Sequence, residues 1–218
     1  MNALSLINSA LLCFTAAALL AAAFSFYKPL SGVMAGLGGA LASAMTAGAG
    51  ALVLLDGVAV QGTVSLAGMG MLITPLSAIW LITLGLCGLF VSLFNLDWHR
   101  HAGVQANGLL INALMAAAVC AVVADNFGVL VVMAEIMALC AVFLTGCGQS
   151  AKLWFVLGRA GTLLLVICCG LIWQRYHTLD LTQMNIAAQR LPLSAGIWLS
   201  GVAGFGLLAG IIPLHGWV

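Results

Sequence analysis

Long apolar runs broken by short polar stretches divide this chain, and they set its elements before any residue is counted. A helix needs about 20 apolar residues to cross a bilayer. Such runs predict spans at 3–27, 31–55, 75–96, 108–124, 127–146, 153–174 and 194–214, that is, six full spans and most of a seventh in a single membrane domain covering 1–218. Lys28 and Pro29 mark a turn after the first run, and Asp56 closes the second. Pro75 can open the third, because proline is accepted in the first turn of a helix. Residues 57–74 follow another rule: they carry no charge after Asp56 and alternate around glycines, which predicts an extended segment or hairpin. The predicted class is all-α integral membrane, a polytopic helix bundle with a short extended segment near 57–74.

Composition excludes the soluble alternative. Hydrophobic residues make up 64% of the chain and charged ones 5%, against about 25% charged in soluble domains. The net charge is +1, with no basic stripe to follow a phosphate backbone, so the expected partner is the lipid bilayer and not nucleic acid. The N-terminus lacks a basic leader, and its apolar run is too long for a signal-peptide core, so a retained first span is expected. Loop charge gives orientation. Lys28, Arg100 and Lys152 fall in loops on one side, while Arg175 and Arg190 fall on the other. Three loops against one predict an N-terminus on the outer face of the membrane.

Chemistry-bearing residues are few. Seven cysteines lie in or beside apolar runs, with no CxxC and no Cys/His spacing that fits zinc or an iron–sulfur cluster. They read as small polarizable packing residues. Cys168 and Cys169 point about 100° apart on a helix and are poor disulfide partners. No Ser/His/Asp set, paired carboxylates or phosphate-cradling loop occurs, so the chain is expected to bind no cofactor or metal and to carry no active site of its own. The second run is rich in Gly and Ala, and Gly32 and Gly36 have the small-xxx-small spacing that lets helices approach closely.

Glu135 stands out as the one acid inside an apolar run. A charged group at bilayer depth costs roughly 2.5–3.5 kcal/mol on insertion scales. It therefore calls for a partner, a proton or a water-filled cavity. Two readings stay open: a hydrogen-bonded structural acid, or a protonatable relay. Ala134, Ala138 and Ala141 leave room beside it for a close neighbour. Arg159 is the candidate partner, since at 1.5 Å per residue each group lies roughly 10 Å deep from opposite faces. The competing reading has Arg159 snorkelling to the interface. His99, Arg100 and His101 form either a docking cluster or an ordinary solvated loop. His215 belongs either to a proton path or to a helix break at the interface, and Asp125 is the expected cap of the fifth span.

Four stretches carry a resemblance: Trp80 to Phe90, Asp97 to His101, Val132 to Leu139, and Gly204 to Trp217 with its Pro213-Leu214-His215 motif. Through them the chain resembles the antiporter-like membrane subunits shared by respiratory complex I (NADH:quinone oxidoreductase), Mrp-type cation/proton antiporters and membrane-bound hydrogenases. The hydrogenase branch of formate hydrogenlyase complexes is the most similar. The resemblance implies a membrane-anchoring subunit, or its N-terminal part, in an electron-transport complex. Its other membrane and soluble subunits would carry Fe–S clusters and a Ni–Fe site, and Glu135 would match a fifth-helix glutamate of the proposed proton path.

Two departures accompany it. Pumping relatives place a lysine in the seventh helix, shortly before Pro-Leu-His, where this chain has Leu208. A leucine cannot switch charge, and Arg159 is the candidate replacement cation. Family members also continue for several hundred residues, so the chain is expected to be a truncated portion that stops inside the first repeat. The leading expectation is the N-terminal part of a membrane-anchoring subunit of such a complex, with a contribution to proton translocation through Glu135 and with Arg159 and His215 as further relay candidates. An Mrp-type antiporter subunit without redox partners, and a non-functional fragment, are the alternatives.

Overall fold

The structure is a computed structural model and describes residues 2–64, 68–101, 107–145, 149–189 and 191–210. It comprises two compact units, 1–123 and 124–218. In the first, α1 (Ala3–Ala23) and α2 (Lys28–Asp56) precede a hairpin of β1 (Val60–Val64) and β2 (Met69–Ile73), followed by α3 (Pro75–His101) and α4 (Asn107–Val123). The second holds α5 (Phe127–Thr145), α6 (Gln149–Tyr176), α7 (Leu181–Ala188) and α8 (Ala195–Ala209). Among the described residues five helices are long and apolar enough to span a membrane, while the apolar stretches of α4 and α8 are shorter. Many large apolar side chains face outward, Leu55 and Phe26 more than four-fifths exposed. Exposure on that scale suits a protein whose surroundings are lipid or other membrane subunits, not water. The chain is a multi-pass helical membrane protein with one short extended element.

Several boundaries differ from those the pattern predicts. Lys28 and Pro29, expected as a turn, open α2, because a proline there gives up an N–H that has no partner in the first turn anyway. Asp56 is followed by Gly57 at φ +66°, a left-handed cap whose N–H returns to Val53 O at 3.0 Å. Residues 97–101, expected in a polar loop, continue α3 through His101. A short helix, α7, forms within the polar connection after α6. The seventh span, expected to 214, gives a helix that ends at Ala209 with Gly210 in the left-handed conformation; residues 211–218 lie outside the described set.

The hairpin pairs antiparallel, Val60 opposite Ile73 through Val64 opposite Met69. Its alternation puts Val64, Met71 and Ile73 into the core with Ile7 and Phe14 of α1, Val53 of α2 and Val119 of α4. A side chain at Gly62 would run into Leu4, so the strand lies directly on α1.

Small residues set how near the helices come. A Cβ at Gly50 would sit 2.7 Å from Ala78 O, and one at Gly85 2.6 Å from Ala47 N. Between α2, α3 and α4 lies a buried polar cluster of Ser43, Ser92 and Asn112. Asn112 Nδ2 donates to Gly108 O at 2.8 Å and Ala35 O at 3.2 Å, tying α4 to α2. Its Oδ1 and the Ser43 Oγ have no hydrogen-bond partner among the described residues. Each is turned onto a glycine of a neighbouring helix, Gly39 and Gly88 respectively, an approach that only a missing Cβ permits.

Candidate functional site

The candidate site lies in the second unit, where α5 and α6 pack together. Its foundation is the start of α5. Asn126, not Asp125, is the cap: its Oδ1 accepts from Gly128 N at 2.9 Å and Val129 N at 3.3 Å. Asp125 instead holds α7, accepting from Thr182 Oγ1 at 2.9 Å and Thr182 N at 3.3 Å. Backbone bonds from Phe127 N to Leu179 O and from Leu181 N to Asp125 O complete a clamp between the first turns of α5 and α7. Losing a cap of this kind costs about 1 kcal/mol. Asn126→Ala is therefore expected to lower stability by about that amount, read as a lower thermal midpoint of the detergent-solubilised protein; an unchanged midpoint would contradict the assignment.

From that start, helical phase carries Glu135 toward α6. Gly158 of α6 faces Ala138 one turn further along α5, with only ordinary contact distance between a Cβ there and that of Ala138. The close approach brings Arg159 Nη1 into an ion pair with Glu135 Oε1. The side chains of Arg159 and Glu135 are 30% and 27% exposed, so the pair is partly, not fully, enclosed. Two of its atoms, Glu135 Oε2 and Arg159 Nε, are buried without a hydrogen-bond partner among the described residues. The guanidinium also lies over the Phe155 ring, 5.4 Å from its centroid. Phe155 is absent from the residues singled out by sequence; its spacing, four residues before Arg159 on the same helical face, is the signal that could have found it.

The other sequence candidates are placed differently. The backbone of His99, Arg100 and His101 belongs to the last turns of α3 instead of a loop. His215 lies outside the described residues. Leu208, expected at the position where pumping relatives place a lysine, packs into the apolar cluster of Leu165, Cys168 and Ile197. A Cβ at Gly161 would come within 3.1 Å of its Cγ. That surrounding is built for a hydrocarbon. Among the described residues no group of three or more His, Cys, Asp or Glu could hold a metal ion.

Comparison with known proteins agrees with this architecture. Over all 218 residues the chain is 66% identical to formate hydrogenlyase subunit 3 of Escherichia coli (strain K12), and it spans 36% of that protein's length. Over 152 residues, 66% of the chain and 23% of the relative, it is 29% identical to hydrogenase-4 component B of the same organism. A subunit of the membrane-bound sulfane sulfur reductase, an archaeal respiratory membrane complex, superposes with a TM-score of 0.76 at 19% identity, covering 94% of this chain and 34% of that one. A subunit of the Mrp complex from Dietzia sp. DQ12-45-1b gives 0.76 at 17% identity, covering 97% and 42%. At those identities the two structures speak to the fold alone. No family model matches the chain. With 66% identity over its whole length, the chain belongs to the family of membrane subunits that includes formate hydrogenlyase subunit 3.

Proposed function

We propose that this chain is a membrane-anchoring portion of a formate-hydrogenlyase-type complex in a bacterial inner membrane, N-terminus in the periplasm, and that Glu135 exchanges protons there. Soluble partner subunits carry the Fe–S clusters and the Ni–Fe site that move electrons from formate to protons. The observation that carries the proton reading is the half-satisfied Glu135–Arg159 pair. Arginine stays protonated in proteins, so Glu135 is the member that can change charge. Its Oε1 is engaged by the guanidinium, which leaves Oε2 as the oxygen that takes up and releases a proton. When Glu135 is neutral, Arg159 loses its counter-charge but retains the Phe155 face, a contact worth about 0.5–2 kcal/mol. The pair thus has two charge states with a holding place for the cation in each.

The test is Glu135→Gln in the full-length protein within its native assembly. Glutamine keeps an acceptor for the guanidinium and cannot titrate. Formate-dependent hydrogen evolution and co-purification of the soluble arm are expected to persist, while formate-driven proton movement across membrane vesicles falls to background. Undiminished proton movement would remove Glu135 from the path. Cation exchange without redox partners would assign the protein to the antiporter class instead.

A further inference from the structure

An open, almost wholly apolar cleft of about 440 Å³ lies in the second unit, lined by residues of α6 and α8 with Phe127 of α5 and Met184 of α7. Its volume falls within the roughly 300–1,000 Å³ of ordinary ligand sites. Ile172, Ile197 and Trp198 are among its lining residues, as is Gly201, which adds no side chain to the wall.

One end of the cleft is marked as membrane surface. Trp198 stands in the first turn of α8, and Arg175 and Tyr176 close the last turn of α6. Tyr176 Oη donates to Leu191 O at 2.9 Å, and Arg175 donates through Nε and Nη2 to Pro192 O at 3.1 and 2.7 Å. The next residue, Leu193, lines the cleft. Aromatic side chains gather at headgroup level in membrane proteins. Arg175 has further N–H donors beyond those two bonds. Among the described residues no carboxylate pairs with it. Asp180, the nearest acid in the sequence, is engaged by Gln183 and Asn126.

We propose that this cleft binds one anionic phospholipid, with an acyl chain along Ile172, Ile197 and Gly201 and the headgroup phosphate on Arg175. Arg175 lies one helical turn beyond the lining residue Ile172 and is bonded to Pro192, next to the lining residue Leu193. A cation there, with no carboxylate partner among the described residues, beside an apolar cleft matches the two halves of such a lipid. A zwitterionic lipid would fill the cleft but gain less from the guanidinium. The selectivity therefore resides in Arg175 and the occupancy in the cleft.

The protein would be extracted in its native assembly, stripped with detergent, and offered phosphatidylglycerol or phosphatidylcholine. Lipid retained after gel filtration would be counted by mass spectrometry. Wild type is expected to retain phosphatidylglycerol preferentially. Arg175→Gln should reduce that preference roughly fivefold, since one basic residue near a membrane surface is worth about 1 kcal/mol toward anionic lipid. Gly201→Phe should abolish retention of both lipids, because a side chain there meets only Cys168 Sγ, at 3.6 Å, before entering the cleft. Gly170→Phe, which projects into open space, serves as the control and should change nothing. A photo-crosslinking residue at Val202 should capture lipid. Equal retention of the two lipids by wild type, unchanged retention in Gly201→Phe, or capture of a protein segment at Val202 would each overturn the proposal.

Discussion

Arg159→Leu, with Glu135 left in place, is expected to destabilise the second unit, though by less than the loss of about 3–5 kcal/mol found when one member of a fully buried ion pair is removed, because this pair is only partly enclosed. The loss comes from the survivor, not from the missing bond. Glu135 Oε2 already lacks a hydrogen-bond partner, so removing the guanidinium strips the carboxylate of its remaining support among the described residues. The opposite variant, Glu135→Leu, should cost less, because Arg159 keeps the Phe155 ring and has a long stem with which to reach the interface. Replacing both by leucine should recover most of the loss, since apolar residues of similar volume commonly match or exceed a buried pair in stability. Unfolding midpoints of the three variants in one detergent decide the matter. If the double variant is as unstable as the sum of the singles, the two side chains act independently and the pair is not what holds them.

That expectation shows where sequence patterns stop. Depth arithmetic brings Glu135 and Arg159 within reach of each other, but it leaves the alternative of a snorkelling arginine standing. Rotation of α6 about its axis decides which arrangement forms. It is set by Gly158 meeting Ala138 and by Gly161 meeting Gly204 and Leu208, contacts between helices that no local window contains. The same reasoning explains the misplaced cap. Asp125 and Asn126 are both good N-cap residues, and the sequence around them does not choose. Thr182, more than fifty residues away, takes the Asp125 carboxylate and leaves Asn126 to α5. Membrane class, the hairpin and Pro75 as a helix start were legible because each depends on local chemistry: hydrocarbon content, alternation, and a missing N–H. The helical continuation through His101 was not, since polar residues at a span's end are equally compatible with a loop and with a helix emerging from the bilayer.

Gly85→Ala should be the more instructive of two superficially identical substitutions. In isolation alanine is favoured over glycine in a helix by about 1 kcal/mol. At Gly48 a Cβ would meet nothing within 4 Å, so Gly48→Ala should be neutral or stabilise by up to that amount. At Gly85 the same methyl would lie 2.6 Å from Ala47 N and 2.7 Å from Ser43 O, both backbone atoms of α2 that cannot rotate away. The two helices would have to separate, and overpacking of this sort costs about 1–3 kcal/mol, enough to cancel or reverse the helix gain. Separation would also shift Gly88 off the Ser43 hydroxyl and Ser92 off Gly39, loosening the polar cluster that joins α2, α3 and α4. Without a hydrophobic drive between helices in lipid, close backbone packing is a main source of association, so the effect should be larger than in a soluble bundle of similar size. Thermal midpoints that fall for Gly85→Ala and hold or rise for Gly48→Ala would establish α2–α3 contact as the support of the first unit. Equal midpoints would mean that the helices have freedom to move apart, and that the small residues of α2 are there for some reason other than proximity.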